Sequence, residues 1–337
     1  MDFPFSLVSG KAVHALVHGD IPGCVRIIES AYRTHQAGDS VNPNSFFLRF
    51  PDNPSARIIG LPAHLGGPFG LSGIKWIASF PANVKKGFPR ASAVLILNND
   101  ETGYPYALLE SSIISAARTA ASAVLAAEWL HGREKRFEAL GIVGTGLIAR
   151  YVYDFFVGNG WELPKIRLFD LDPREAARFR DGALKDLPPD RVELCDGLES
   201  VMQGSDCILF ATVAPAPYVH DPALLAHNPL VLHLSLRDLA PELLLRAHNI
   251  VDDVGHVMNA DTSPHLAEKL TGDRAFVNGT LAQVISGEVQ VDRGKPIIFS
   301  PFGLGVLDLA LGKWIHERAF AAGTALPVPD FFFELSR

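Results

Sequence analysis

The sequence is poor in cysteine and lacks a hydrophobic run long enough to predict a membrane span. Its three cysteines, Cys24, Cys195 and Cys207, lie far apart, so they predict neither a metal-binding pair nor a disulfide framework. No window of about 18 residues is apolar throughout, and the N-terminal residues lack the basic and then apolar pattern of a secretory signal. These absences predict a protein of the reducing cytoplasm without membrane contact.

Concentrated positive charge is also missing. Lysine and arginine number 30 against 37 aspartate and glutamate residues, which gives a net charge of −7. We interpret the only basic cluster, residues 133–136, as a solvated helix end, so nucleic acid is not an expected partner. His14 and His18 are spaced for one helix face without a third ligand, and His64 and His256 are weaker candidates. No metal site is therefore predicted.

The composition is that of a globular protein, with 48% hydrophobic and 20% charged residues, and 337 residues favour two domains. Helical spacing predicts helices at 21–36 and 111–131, and a further one after Gly303. Turn residues, including Pro51 to Pro54, separate short extended runs that are typical of an antiparallel or mixed sheet. These runs lie at residues 46–50, 57–62, 73–80 and 93–98.

From residue 139 onward, strand-like runs alternate with helical ones. Such alternation indicates βαβ units on a parallel sheet. We therefore predict an α/β protein with a Rossmann-type doubly wound parallel sheet and a second, α+β domain.

A glycine-rich segment, residues 144–149, matches the pattern G-x-G-x-x-G/A between a predicted strand and a predicted helix. Gly144 would allow a tight turn, Gly146 would let a pyrophosphate approach the backbone, and Ala149 would keep the helix close to the strand. The helix N-terminus would offer free N–H groups to the phosphates. The alternative is a glycine turn before an ordinary surface helix. The residues expected at the cofactor are Gly144, Thr145, Gly146, Leu147 and Ile148.

An acidic residue, Asp170, ends the second predicted strand of this domain, 26 residues after Gly144. A carboxylate at this place can accept hydrogen bonds from both ribose hydroxyls and would repel a 2′-phosphate, which favours NAD over NADP. Asp172 is an alternative candidate for this role. The nearby Arg174 could instead bind the 2′-phosphate of NADP.

Lys75 interrupts an apolar strand pattern, and alternation puts it on a half-apolar face beside Gly73. A lysine so placed could hold a substrate carboxylate. An edge-strand lysine that guards against aggregation is an equally good interpretation of the pattern.

Arg118 is a lone cation in a helix of small residues. A buried arginine needs an anionic partner, and its planar fork suits a carboxylate or phosphate. We favour a ligand, because small side chains leave room for one; the alternative is an internal ion pair with Glu110 or Glu128.

Asp238 follows a buried-looking strand, at the sheet edge where open α/β sheets bind ligands. It could take a proton there. From the pattern alone, an N-cap for a helix starting near Pro241 is the more common explanation.

Four segments together resemble the ornithine cyclodeaminase/mu-crystallin family. They are GIKWIASFPAN (73–83), ALLESSIISAARTAASAVLAA (107–127), GIVGTGLIA (141–149) and SPFGLGVLDLA (300–310). The resemblance implies an NAD(P)-binding Rossmann domain at 119–305. It also implies a substrate-binding and dimerisation domain made of 1–118 with 306–337, and hence a homodimer.

Within the family, the resemblance is strongest to the N-(2-amino-2-carboxyethyl)-L-glutamate dehydrogenases of 2,3-diaminopropionate biosynthesis. The segments that carry it are NPNSFFLRF (42–50), ARIIGLPAHLGG (56–67), FPANVKKGFPRASAVLILN (80–98) and SLRDLAPEL (235–243). It implies that Lys75 and Arg118 bind the α-carboxylate and that Asp238 is the acid/base. We also assign Thr119, Thr212 and Ser300 to the cofactor.

The chain departs from the family at Ser45, where cyclodeaminases usually carry a carboxylate-binding arginine. Arg49 or Arg57 could replace it, and we choose Arg57 because it begins a predicted strand that leads to His64. The departure disfavours ornithine as the substrate.

The resemblance implies an NAD-dependent dehydrogenase that forms diaminopropionate, 2-oxoglutarate and NADH from a small amino-acid substrate, for siderophore or peptide antibiotic biosynthesis. The alternatives are an ornithine cyclodeaminase with no net redox change, an imine (ketimine) reductase, and a crystallin-like binding protein.

Overall fold

The computed structural model describes residues 4–333 and divides the chain into two compact units. The first unit comprises residues 1–118 and 304–337, and the second comprises residues 119–303. The family resemblance implies boundaries after residues 118 and 305, and the roles it implies for the two units stay predictions.

Between residues 4 and 111, the first unit contains two α-helices and seven strands, and a long helix that continues into the second unit follows them. In chain order these are β1 (Ser6–Val8), α1 (Gly10–Gly19), α2 (Ile21–Gln36), β2 (Ser40–Val41), β3 (Phe46–Phe50), β4 (Asn53–Leu65), β5 (Leu71–Ser79), β6 (Ala91–Asn99), β7 (Pro105–Glu110) and α3 (Ser112–Leu130).

The second unit alternates strands and helices, as predicted. Its elements are β8 (Ala139–Val143), α4 (Leu147–Gly158), β9 (Lys165–Phe169), α5 (Pro173–Ala183), β10 (Val192–Leu194), α6 (Leu198–Gln203), β11 (Cys207–Phe210), β12 (Leu230–His233), α7 (Pro241–Leu244), β13 (His248–Val251), α8 (Val254–Val257), α9 (Ser263–Thr271), β14 (Val277–Thr280), α10 (Leu281–Ser286) and β15 (Ile297–Ser300). The chain then returns to the first unit with α11 (Gly305–Ala321) and β16 (Leu326–Pro327).

The sheet of the first unit is mixed, with the order β16-β1-β7-β6-β5-β4-β2 and β3 paired to β4. Among the described strands of this first sheet, only β1 and β7 pair in parallel. Helix α11 packs on β4, β5 and β6. Gly73 permits this packing, because a Cβ there would lie 2.7 Å from Cδ2 of Leu309.

This sheet differs from the sequence prediction in several details. The turn expected at residues 51–54 is shorter, because Phe50 already pairs with Asn53 and Pro54 lies inside β4. Strand β4 also runs through Pro62, which lies between the segments that pair with β3 and with β2. A proline is tolerated where a strand lacks a partner on one side. Strand β7 was not predicted.

The sheet of the second unit has eight parallel strands in the order β10-β9-β8-β11-β12-β15-β13-β14. From β8 the chain proceeds outward through β9 to β10, and then resumes on the other side at β11. The strand order therefore reverses between β8 and β11, which is where doubly wound sheets bind ligands. The predicted α/β class with a Rossmann-type sheet and a second α+β domain is confirmed.

Helix α3 is long and apolar enough, by length and composition, to cross a membrane. However, 67% of its 18-residue apolar window is buried inside the structure. The core helix of a globular protein shows the same combination.

Candidate functional site

The glycine-rich segment adopts the geometry that a dinucleotide-binding turn needs. Gly144 has φ of 86°, a left-handed conformation, and a Cβ there would lie 2.8 Å from the carbonyl oxygen of Ala211. Gly146 is the N-cap of α4, no side chain caps this helix end, and a Cβ at Gly146 would meet nothing within 4 Å. The backbone at Gly146 therefore borders open space where a pyrophosphate fits.

Asp170 is fixed at the end of β9 by the glycine-rich segment itself. Its Oδ2 accepts hydrogen bonds from the backbone N–H and the hydroxyl of Thr145, at 2.8 and 2.9 Å. Asp172, its rival in the sequence, caps α5 and forms an ion pair of 2.7 Å with Arg174. Hydrogen bonds from Arg174 lower the pKa of Asp172 to about 2. The structure thus leaves Asp170 as the carboxylate next to the glycine turn.

A cavity of about 660 Å³ lies at the reversal of the strand order within the second unit. Gly144, Gly146, Asp170, Thr212 and Tyr218 contribute to its lining, together with mostly apolar side chains. The volume and the apolar lining with a few polar groups are typical of small-molecule sites.

The other predicted cofactor residues lie outside this lining. Leu147 and Ile148 form the first turn of α4, and Thr119 lies on α3. Ser300 ends β15, where its hydroxyl lies 3.3 Å from Nδ1 of His233. Four of the nine predicted cofactor residues therefore line the cavity: Gly144, Gly146, Asp170 and Thr212. Thr145 donates a hydrogen bond to Asp170 from its hydroxyl.

Asp238 is completely buried in a hydrogen-bonded group that we call the Asp238 network: Asp238, Thr212, Tyr218 and His233. Its Oδ1 accepts from the hydroxyls of Thr212 and of Tyr218, the latter at 2.8 Å, and its Oδ2 lies 3.2 Å from Nε2 of His233. Burial raises the pKa of Asp238, but hydrogen bonding and the charge of His233 outweigh it, so the pKa is lower than usual.

The N-cap interpretation of Asp238 is wrong. The N-cap of α7 is Ala240, and no side chain caps that helix. The hydroxyls of Thr212 and Tyr218 connect the buried carboxylate to the cavity, because both residues line it. Sequence reasoning missed Tyr218 and His233, although a lone histidine in the apolar run LVLHLSL was a usable signal for the latter.

In the first unit, Lys75, Ser115, Arg118 and Asp308 form a second polar group, which we call the Lys75 cluster. The Lys75 ammonium donates to Oδ2 of Asp308 at 2.6 Å and to the Ser115 hydroxyl at 3.3 Å. Nε of Arg118 lies 3.4 Å from Oδ1 of the same carboxylate. The side chains of Lys75 and Asp308 are 2% and 0% exposed.

Two earlier interpretations of these cations are corrected by the structure. Lys75 does not guard an edge, because β5 lies between β4 and β6. Arg118 does form an internal ion pair, but with Asp308. Glu110 accepts hydrogen bonds from the start of α3, and Glu128 pairs with Arg133 and Lys135.

The Lys75 cluster combines two basic groups with one carboxylate, so its formal charge is +1. Burial lowers the pKa of Lys75 to about 8, although Asp308 opposes this shift. A buried excess of positive charge is costly unless an anion compensates it. The cluster is therefore suited to bind one carboxylate group of a ligand.

Arg57 lies inside β4 rather than at its start, directly opposite Ser79 of β5. Leu61 pairs with Lys75, so Arg57 shares a sheet face with Lys75, at about 13 Å along the strand. His64 lies on the other face, where it contacts Ser72 and Asp100. The link between Arg57 and His64 that guided our choice is therefore wrong, whereas Arg57 as a substrate residue stays a prediction.

The remaining histidines have local roles. The rings of His14 and His18 stack at 4.0 Å, and His256 interacts with Asp253 at the start of α8. Between residues 4 and 333, no three side chains of histidine, cysteine, aspartate or glutamate are grouped so that they could hold a metal ion.

Comparison with known proteins identifies relatives over nearly the whole chain. The family model of the ornithine cyclodeaminase/mu-crystallin family matches residues 11–323. The N-((2S)-2-amino-2-carboxyethyl)-L-glutamate dehydrogenase of Staphylococcus aureus is 29% identical over 303 residues, which are 88% of this chain and 89% of that protein.

Solved structures agree with this result at the level of the fold. The Δ1-pyrroline-2-carboxylate reductase of Thermococcus litoralis, in complex with NADH and L-proline, has a TM-score of 0.88 and 23% identity, covering 96% of this chain and 100% of that one. An archaeal alanine dehydrogenase dimer with bound NAD has a TM-score of 0.85 and 22% identity, covering 97% and 100%. The chain belongs to the ornithine cyclodeaminase/mu-crystallin family.

Proposed function

We propose that this protein is an NAD-dependent dehydrogenase that converts N-(2-amino-2-carboxyethyl)-L-glutamate to L-2,3-diaminopropionate and 2-oxoglutarate. The observation that carries the proposal is the buried +1 charge of the Lys75 cluster, which suits a carboxylate ligand. The similarity to the Staphylococcus aureus dehydrogenase over 88% of the chain supports the choice of substrate.

The glycine turn and the cavity beside it fit a dinucleotide. Open space at Gly146 accommodates the pyrophosphate, and Asp170 opposes the 2′-phosphate that distinguishes NADP from NAD. Bound NAD would supply a hydride acceptor for the substrate carbon between the carboxylate and the nitrogen.

The Lys75 cluster orients that carbon by holding its carboxylate. Asp308 keeps the two basic groups fixed and neutralises one of them, so that a single carboxylate completes the charge balance. Fixing the reacting carbon in this way lowers the entropic part of the barrier.

In the proposed reaction, the Asp238 network accepts the proton that the substrate releases. The substrate is a secondary amine, and loss of hydride leaves an iminium to which water adds. The resulting carbinolamine breaks its carbon–nitrogen bond and releases 2-oxoglutarate and diaminopropionate. We assign to Asp238 the acceptance of the proton that is set free, through the hydroxyl of Tyr218 or Thr212, because its own oxygens are buried.

The test is an assay of the purified protein with NAD and N-(2-amino-2-carboxyethyl)-L-glutamate, following NADH absorbance and 2-oxoglutarate together. We expect both products in equal amounts. In the variant Lys75→Ala we expect turnover to fall at least a hundredfold while NAD binding changes little. Proline and ammonia from ornithine, without NADH from the aminocarboxyethyl substrate, would instead identify a cyclodeaminase.

We further propose a homodimer in the cytoplasm that supplies diaminopropionate for siderophore or peptide antibiotic synthesis. The sheet of the first unit exposes an apolar face made of Phe46, Leu48, Trp76 and Val94, which we call the outer sheet face. Phe46 pairs with Gly60, Gly60 with Trp76, and Trp76 with Val94, so these side chains form one row across four strands. A second copy of the chain would bury this row, and the archaeal alanine dehydrogenase with the same fold is a dimer.

A further inference from the structure

Arg90 is an arginine of the first unit that the reaction above does not use. It lies directly before β6, and its Nη1 donates a hydrogen bond of 3.2 Å to the hydroxyl of Ser79. Burial lowers the pKa of Arg90. Among residues 4–333, no carboxylate forms an ion pair with it, whereas Arg33, Arg118 and Arg318 of the same unit each have one.

The hydrogen bond to Ser79 places the Arg90 guanidinium on the same side of the sheet as the Lys75 cluster. Ser79 and Lys75 are four residues apart on β5, so their side chains share a face, and their Cα atoms lie about 13 Å apart. Ser79 is itself almost completely buried. Lys75 and the Arg90 guanidinium thus lie on one side of the sheet, at the two ends of a stretch of β5 that a ligand with a carboxylate at each end could span.

The guanidinium has five N–H groups in a planar fork, and Ser79 accepts from only one of its nitrogens. A partly buried guanidinium without an acidic partner is costly, and a carboxylate is the anion that fits its geometry with two parallel hydrogen bonds. The hydrogen bond to Ser79 restricts the conformations of the Arg90 side chain before a ligand binds, which reduces the entropic cost of binding.

We infer that Arg90 binds a second, distal carboxylate of the substrate, and so selects acidic amino-acid derivatives. The inference rests on the proposed function for the identity of the first carboxylate site. It also gives a reason for rejecting ornithine, because a distal ammonium group would face a cation with no carboxylate to neutralise it.

The test compares two 2-oxo acids as ligands of the NADH-bound protein, measured by calorimetry. The first ligand, 2-oxoglutarate, has a distal carboxylate, and the second, 2-oxobutyrate, lacks it. We expect the unaltered protein to bind 2-oxoglutarate roughly tenfold to a hundredfold more tightly, the range that hydrogen bonds to charged groups contribute.

The variant Arg90→Gln should lose this preference while it binds 2-oxobutyrate as before, and Arg90→Lys should keep part of it, because lysine retains the charge without the fork. Lys86→Gln is the matched control, since it removes an exposed positive charge four residues away. The inference is wrong if Arg90→Gln retains the preference, or if both ligands weaken equally.

Turnover measurements separate this inference from the proposed reaction. If the unaltered protein fails to oxidise N-(2-amino-2-carboxyethyl)-L-glutamate but prefers 2-oxoglutarate through Arg90, only the proposed reaction fails. If it oxidises that substrate and Arg90→Gln does so with an unchanged KM, only the assignment of Arg90 fails.

Discussion

Lys75 shows how burial changes the chemistry of a single side chain. Its ammonium group has almost no contact with water, and its pKa falls from the ordinary value of 10.5 to about 8. Asp308 opposes the shift without cancelling it, because desolvation of a charge exceeds the attraction of one neighbour. A lysine at the protein surface would be fully charged at physiological pH, whereas the buried Lys75 loses its proton close to that pH.

This shift predicts the alkaline side of the pH profile. In the proposed reaction the ammonium form of Lys75 binds the substrate carboxylate, so we expect kcat/KM to fall as the pH rises through about 8, roughly tenfold for each further pH unit until binding by Arg118 alone remains. In Lys75→Arg, the fall near pH 8 should disappear, since arginine stays protonated. A fall at the same pH in both proteins would show that another group titrates.

The same residue affects stability with a defined sign. Between about pH 8 and 10.5, the unfolded chain keeps the Lys75 proton that the folded chain has lost. The unfolded state then binds more protons, so the contribution of Lys75 to the free energy of unfolding increases with pH in this window. We would measure the free energy of unfolding by denaturant titration at several pH values. Between about pH 8 and 10.5, it should rise more steeply with pH in the unaltered protein than in Lys75→Met.

Asp308 should be essential for the stability of the first unit. Asp308→Asn leaves Lys75 and Arg118 without their carboxylate, and we expect a loss of about 3–5 kcal/mol in the free energy of unfolding. Urea unfolding measures it, with the exposed Asp52→Asn as control. Equal stability of the two variants would contradict the assigned role of the ion pairs.

The sequence revealed the cations of this cluster but not their anion. Lys75 and Arg118 stand out because each interrupts a local apolar pattern. Asp308 interrupts one as well, in GVLDLALG, yet its partners are 233 and 190 residues away in the chain. Local periodicity carries no information about pairing over such separations. Among the partners of Asp238, Tyr218 and His233 were found only in the structure, although His233 is only five residues away in the chain.

Among the secondary-structure elements, those with strong local signals were predicted best. Helix α2 has the predicted bounds, and Asp20 caps its start with a hydrogen bond to Gly23. Strand β7 was missed because its short sequence has no alternation of polar and apolar residues. Its place is set by pairing with β6 and β1, which only tertiary structure supplies.

The start of α4 yields a prediction on cofactor binding. Gly146 has φ of −79°, which alanine also adopts, and its surroundings are open, so Gly146→Ala should fold normally. A methyl group at this place would stand between the backbone and the pyrophosphate, and we expect NAD to bind at least tenfold more weakly. Fluorescence titration with NADH measures the change.

Gly182→Ala on α5 is the matched control for this variant, because its Cβ also meets no atom within 4 Å. It should raise stability slightly, since alanine favours a helix, and leave NADH affinity unaltered. If Gly146→Ala bound NADH like the unaltered protein, the pyrophosphate could not lie on this turn.

For the whole molecule, the outer sheet face should determine the oligomeric state. Trp76 is 44% exposed and lies over Gly60 in the middle of the row, and its ring would be central to any contact between two sheets. Trp76→Glu should raise the dimer dissociation constant at least tenfold in sedimentation equilibrium. Leu171→Glu, at a side chain that is 93% exposed on the other unit, should leave it unchanged.

The order in which the Lys75 cluster is assembled has a consequence during protein synthesis. Lys75 and Arg118 leave the ribosome long before Asp308, which belongs to the final helix. Until that helix emerges, both cations lack the carboxylate that compensates them in the finished fold. A nascent chain released before residue 308 should therefore be a substrate for quality-control proteases, and completion of the last helix becomes the event that commits the first unit to its native state.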